Sequence, residues 1–314
     1  MQRSEISDWE RVSGFMKTAR ETVPRDVSIE DFRNALPRGE EPPAVAPGLE
    51  SIDDVILPDG LRVRVYRPRG HGGPLPVLVY MHGGGHLRGT LASAHIVCTR
   101  LAIRTPSIVV SVDYRLAPEH PFPAALNDAQ TALEWAAEHA TMLGAAPGAV
   151  AIGGDSAGAT LATVVARRLP QLVKLQVLLC GLYSLVTRIE LTGRSPQLLD
   201  RDLEQHRLDW IVSHYIPQGI DAAIPDASPL LAESFASMPE AVIITSELDP
   251  FTSQNRAYAT ALEGGGTPVT YLEFAGLPHA FTNFSQVFPE AETAVEVAAA
   301  ALRRVVSRGI EQSK

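Results

Sequence analysis

Five short apolar runs constrain this chain more than any other feature: PVLVYMHG, SIVVSVDYR, AVAIGGDS, LQVLLCGL and AVIITSELD. Each ends in polar or glycine residues, the pattern of strands buried on both faces. Helical segments lie between them. One runs from about Ala124 to Met142 with Leu126, Ala129 and Leu133 on one stripe, another follows Ser156, and EAETAVEVAAAALRRVV closes the core. Strands alternating with helices predict an α/β fold with a mostly parallel central sheet covered on both sides. From about Val55, LRVRVYRP alternates like a half-buried antiparallel strand ahead of that array.

Two stretches break the alternation. At the N-terminus, Trp9, Val12 and Met16 share a helical face, and Ile29, Phe32 and Leu36 repeat the spacing. Ser28 is placed as an N-cap, with Asp31 completing a loose capping box. A Pro-rich linker follows from Pro37 to Pro47. The second stretch, about 186–225, holds DLEQHRLDWIVSHYIPQ, an amphipathic helix with Leu203, Trp210 and Ile211 on its apolar side. Together they are expected to form a small helical cap over one end of the sheet. The expected division is 1–48 as cap helices and linker and 49–314 as the catalytic domain carrying the insertion.

The 314 residues suffice for one such core with an inserted lid. A net charge of −9 argues against a nucleic-acid partner, which calls for clustered Lys and Arg. Cys98 and Cys180 form no CxxC pair, so neither a zinc site nor any cofactor is expected. Cys180 closes an apolar run and reads as a small buried hydrophobe. No stretch is apolar for long enough to cross a bilayer. The opening MQRSEISDWERVSGF is charged and carries no apolar h-region, so a cytoplasmic location is expected.

Chemistry concentrates at Gly154-Asp155-Ser156-Ala157-Gly158, between the strand AVAIG and the helix AGATLATVVARRL. A G-x-S-x-G at a strand-to-helix turn makes a nucleophile elbow. Side chains at Gly154 and Gly158 would collide with neighbouring backbone, and the turn lifts the Ser156 hydroxyl clear of the sheet. The helix N-terminus behind it favours developing negative charge.

Acyl transfer passes through a tetrahedral oxyanion that needs preorganised N–H donors. Met81-His82-Gly83-Gly84-Gly85-His86 follows a buried strand about 70 residues before the elbow. Its glycines let bare backbone approach that oxygen. The expected donors are Gly84, Ala157 and either Gly83 or Gly85. His82 reads as structural, bonded to nearby backbone. His86 either lines the substrate pocket or faces solvent.

A serine needs a histidine base, and the histidine needs a carboxylate. The chain order in this arrangement is Ser, acid, His. After Ser156 the histidines are His206 and His214, both in the cap segment, and His279, in the loop EFAGLPHAF. The acid belongs at the end of AVIITSELD, which puts Asp249 first and Glu247 as its nearest rival; Asp226 and Glu273 are weaker candidates.

These segments resemble the hormone-sensitive lipase family of α/β-hydrolases, the bacterial family IV esterases, over about residues 60–305. The resemblance rests on HGGG at 82–85, DYRLAPEHPFPAAL at 113–126, GDSAG at 154–158, Asp-Pro at 249–250 and the His279 loop. It implies the α/β-hydrolase fold and a Ser156–Asp249–His279 triad, with oxyanion donors Gly84, Gly85 and Ala157. GDSAG points to one of the two main branches of the family. The implied activity is hydrolysis of short- to medium-chain carboxylic esters, with a homodimer admitted by the family. An amidase, deacetylase or lactonase on the same triad, or a small-molecule receptor on a dead scaffold, are the alternatives; His279 counts against the last. The chain departs from the family at three places: His86 where an aromatic residue usually follows HGGG, Phe251-Thr252-Ser253 where Leu-Arg-Asp usually follows Asp-Pro, and Ala280 where Gly usually follows the histidine. None removes a catalytic group.

Overall fold

The computed structural model describes residues 8–22, 27–35, 47–71 and 73–312. Its strands are β1 (Leu49–Ile56), β2 (Arg62–Pro68), β3 (Leu75–Met81), β4 (Ile108–Val112), β5 (Ala145–Asp155), β6 (Leu175–Leu179), β7 (Glu240–Leu248) and β8 (Val269–Pro278). Its helices are α1 (Asp8–Thr22), α2 (Ile29–Asn34), α3 (His95–Arg104), α4 (Ala124–Glu138), α5 (Ala140–Leu143), α6 (Ala157–Arg168), α7 (Ser195–Leu198), α8 (Arg201–Tyr215), α9 (Thr252–Gly264) and α10 (Glu290–Gln312).

The strands form one sheet in the order β1-β2-β4-β3-β5-β6-β7-β8. From β4 through β8 all neighbours are parallel, while β1 and β2 run antiparallel at the other edge. The sheet separates two apolar cores, and strand pleating assigns residues to them alternately. Val77, Val79 and Met81 of β3 face one core with Leu126 and Leu133 of α4. Leu78 and Tyr80 face the other with Val97 and Leu101 of α3 and Val295 and Leu302 of α10. Burial on both faces is why the five runs read as continuous apolar stretches.

Two expectations change. The strand LRVRVYRP is buried on both faces, not half-buried: Arg64 sits at 5% exposure because its guanidinium is held twice by Asp54 of β1. That partner strand, LESIDDVI, has three acidic residues and lacks the apolar alternation that would have announced it. On α8 the buried residues are Leu208 and Tyr215. Trp210 and Ile211 are partly buried beside them, and Leu203 is only partly covered.

The irregular segments attach at different places. On α1, Val12 and Met16 are buried in the second core, and Phe15 meets Phe284 and Phe288 edge-on at 4.9 and 5.1 Å. Ser28 Oγ accepts from Asp31 N at 3.0 Å, capping α2, whose Phe32 ring packs against Trp210 of α8 at 5.1 Å. The Trp9 side chain, Leu36 and most of the Pro-rich linker lie outside the described residues. Among the described residues no helix is long and apolar enough to cross a membrane. Both cysteines are free and buried.

Candidate active site

The elbow has the geometry that its glycines permit. Ser156 sits between β5 and α6 at φ 53° and ψ −119°, a backbone conformation that side-chain-bearing residues seldom adopt. Its amide donates to Leu179 O of β6 at 2.9 Å. A Cβ on Gly158 would stand 2.1 Å from Met81 O, and one on Gly154 would stand 2.6 Å from the same atom. Only glycine lets α6 start this close to the end of β3.

The HGGG loop lies directly beside the elbow. A Cβ on Gly83 would meet Asp155 Oδ2 at 2.5 Å, and one on Gly84, at φ 126°, would meet Arg88 O at 2.2 Å. Among the described residues, the amides of Gly83, Gly84, Gly85 and Ala157 donate to no protein acceptor. An oxyanion site requires N–H donors of this kind, not already committed to the protein. Ile211 of α8 covers Gly85, with its Cδ1 2.9 Å from where a Cβ would be.

His82 holds this loop: its Nδ1 bonds Gly83 O at 2.8 Å and its ring stacks on Tyr114 at 4.2 Å. His86 does not face solvent. It is fully buried and stacks on Tyr215 of α8 at 3.9 Å, and that burial pushes its pKa down to about 3, so it is neutral.

Ser156, Asp249 and His279 meet at the C-terminal ends of the strands. His279 Nδ1 lies 2.8 Å from Asp249 Oδ2, and its Nε2 lies 3.0 Å from Ser156 Oγ. With Nδ1–H donating to the carboxylate, Nε2 is free to accept the serine proton. Asp249 is 1% exposed, and its other oxygen accepts the Phe251 amide at 2.7 Å. Burial lowers the His279 pKa, but the charge and hydrogen bond of Asp249, with Asp155 and Glu204 behind, outweigh it and raise the pKa above its ordinary value.

The rival acids are engaged elsewhere. Glu247 holds the Arg194 guanidinium and accepts from the Gly276 amide at 2.7 Å, and its pKa is lowered to about 2, chiefly by Arg194. Asp226 pairs with Arg167 and Arg168, and Glu273 with Arg256. His214 bonds Trp210 O on α8, and His206 is exposed on the same helix.

Residues 78–283 match a family described as alpha/beta hydrolase fold. The chain belongs to the α/β-hydrolases. It is 40% identical over 272 residues to carboxylic ester hydrolase LipN of Mycobacterium tuberculosis (82% of this chain, 71% of the relative). It is 34% identical over 291 residues to carboxylesterase NlhH of the same species (88% and 90%). Among solved structures, a hyperthermophilic esterase from the archaeon Pyrobaculum calidifontis superposes with a TM-score of 0.80 at 34% identity, covering 98% of this chain and 99% of that one.

Several parts of this α/β-hydrolase site were not legible as site residues. Asp155 is buried, and it accepts from Tyr80 Oη at 2.8 Å and from Asn283 Nδ2 at 3.0 Å. Gln254 and Asn255, in the first turn of α9, satisfy the backbone of the loop after β6: Asn255 bonds Gly181 through both its amide atoms, and Gln254 accepts from Tyr183 N and Ser184 N. The DYRLAPE segment gains a physical role. Tyr114 Oη donates to His82 O at 2.7 Å and Ala117 N donates to His86 O at 3.0 Å, which brackets the glycine loop from below.

Proposed function

We propose that this α/β-hydrolase is a serine carboxylic ester hydrolase in which Ser156 is the nucleophile, His279 the general base and acid, and Asp249 the carboxylate that orients His279. The observation that carries the reading is the relay Asp249 Oδ2–His279 Nδ1 at 2.8 Å and His279 Nε2–Ser156 Oγ at 3.0 Å. Ser156 Oγ attacks the ester carbonyl while its proton passes to Nε2. Amides drawn from Gly83, Gly84, Gly85 and Ala157 stabilise the oxyanion, each worth roughly 3 kcal/mol in the barrier. The imidazolium, stabilised by Asp249, protonates the departing alcohol. Water then repeats the cycle on the acyl-enzyme.

The substrates are short- to medium-chain acyl esters of small molecules. Ile211 supports that limit, because it crowds Gly85 of the glycine loop. The described parts of 1–48 and of 186–225 act as the cap. Arg33 supports this by tying α2 to Leu87 O, Ala117 O and Glu119, and Phe32 joins it to α8. GDSAG at 154–158 supports a place in that branch of the family. The reading also carries a cytoplasmic enzyme that pairs as a homodimer, which cell fractionation and sedimentation velocity test.

The decisive experiment is hydrolysis of p-nitrophenyl esters of increasing acyl length, with an anilide control, by the parent and Ser156→Ala. The parent should turn over acetate and butyrate esters, and the variant should not. Undiminished turnover by Ser156→Ala overturns the assignment.

A further inference from the structure

The two cysteines occupy different chemical surroundings. Cys98 lies in α3, buried deep in the second core. Cys180 follows β6 at φ 48°, and its amide is fixed to Ile244 O at 2.7 Å. That conformation turns its thiol toward the underside of the relay. Sγ lies 3.8 Å from Ser246 Oγ. A sulfur, a carboxylate oxygen and an imidazole nitrogen, from Cys180, Asp249 and His279, come within 4.8 Å of one another. Among the described residues this is the one such group of three.

We infer that Cys180, Asp249 and His279 form a latent inhibitory site for a borderline or soft divalent cation, of which Zn2+ and Cd2+ are the type. The inference rests on the triad reading of Asp249 and His279. The donor set is the mixed sulfur, nitrogen and oxygen kind that such ions prefer over Mg2+ or Ca2+. Tetrahedral coordination at ordinary bond lengths puts sulfur and nitrogen donors about 3.5 Å apart. The cluster therefore needs to contract by at most roughly an ångström. Cys180 and Asp249 are closed to solvent, but the His279 side chain is 29% exposed, so the ion enters from the substrate side. Water supplies the remaining coordination.

The proton balance explains why binding inhibits. The cation takes the place of the Nδ1 proton and the thiol proton. Thiolate, carboxylate and Nδ1 become its ligands. The thiol proton leaves to solvent, and the single proton of neutral His279 moves from Nδ1 to Nε2. An Nε2 that carries a proton donates instead of accepting, so it can no longer take the proton of Ser156. The charge of Asp249 is spent on the cation. Two of the three relay functions are lost in one binding event, and both return when the ion is removed.

The test uses the full chain, p-nitrophenyl acetate, Cd2+ as the probe and a non-coordinating buffer. It reads hydrolysis and, independently, the ultraviolet charge-transfer band of cadmium thiolate. The parent should lose activity at micromolar Cd2+, regain it with EDTA, and gain the band in step with the loss. Cys180→Ser and Cys180→Ala, each measured against its own uninhibited rate, should need at least about tenfold more Cd2+ and show no band. Cys98→Ser should behave as the parent. Equal sensitivity of parent and Cys180 variants, loss of the band in Cys98→Ser, or absence of both signals in the parent overturns the inference. A band in the parent without inhibition upholds the cation site, overturns its inhibitory role and counts separately against the triad reading.

Discussion

Asn283 Nδ2 donates to Asp155 Oδ2 at 3.0 Å, tying the turn after His279 to the residue before Ser156. The other Asp155 oxygen takes the Tyr80 hydroxyl at the end of β3. The turn at Ser156, the His279 loop and the strand that feeds the glycine loop are therefore joined through one buried carboxylate. Asn283 acts as a positioning residue, because it touches no group that reacts.

Removing that tie should cost rate more than affinity. Asn283→Ala leaves a buried carboxylate short of one donor, a loss of about 1–3 kcal/mol, and frees the His279 loop. We expect kcat to fall by about tenfold or more with KM little changed. Asn283→Asp should be worse despite its nearly equal shape, because it sets a second carboxylate against Asp155. Steady-state kinetics on the three proteins decide the matter. A residue that merely filled space would give the opposite order, with Asp milder than Ala.

The two carboxylates at the end of β7 should separate cleanly. Asp249→Asn keeps the shape but removes the charge that orients His279, and a loss of roughly 10³–10⁴ in kcat is expected by analogy with other triads. Glu247→Gln disturbs the contact to Arg194 and to the Gly276 amide and leaves the relay intact, so it should keep most of its kcat. Comparable losses in both variants, measured on the same ester, would contradict the assignment of the acid.

The pH profile follows from the surroundings of His279. Catalysis needs the neutral imidazole, and Asp249 raises its pKa against the effect of burial, with Asp155 and Glu204 adding to that rise. The acid limb of kcat/KM should therefore lie above the ordinary 6.5, with activity lost as pH falls through it. Stability runs the other way. A group whose folded pKa is raised stabilises the fold fully below its unfolded pKa, and that contribution fades as pH rises through the folded value. Asp249→Asn should move the limb in its residual activity downward; a limb that stays in place would detach His279 from Asp249.

The sheet and the relay were legible because each left a local signature. Strands buried on both faces force continuous apolar runs, and the elbow forces glycine at two fixed positions. What stayed hidden acts at a distance. β1 is acidic where a strand should alternate, because Asp54 serves Arg64 across the sheet. His86 was open between pocket and solvent, since only the fold places Tyr215 of α8 against its ring. Asp155 looked like the variable position of a motif, although its partners Tyr80 and Asn283 lie 75 and 128 residues away. The DYRLAPE segment was legible only as a resemblance, and the bonds from Tyr114 and Ala117 to the glycine loop give its physical reason.

The steric argument for the elbow gives the last prediction. In Gly158→Ala the new methyl would stand 2.1 Å from Met81 O and 2.6 Å from His82 O, both main-chain atoms. Neither can swing away as a side-chain tip would, so α6 must lift from β3 and carry Ser156 with it. Overpacking of this kind costs typically about 1–3 kcal/mol, and rigid backbone on both sides places this site at the upper end. Gly14→Ala is the matched control: the position lies inside α1, and a Cβ there meets nothing within 4 Å. It should stabilise by up to about 1 kcal/mol through helix propensity. Urea unfolding of both variants should shift the midpoint in opposite directions, and Gly158→Ala should also lose esterase activity under conditions where it remains folded. A Gly158→Ala protein with parental stability and rate would show that the glycines of the elbow are not sterically required.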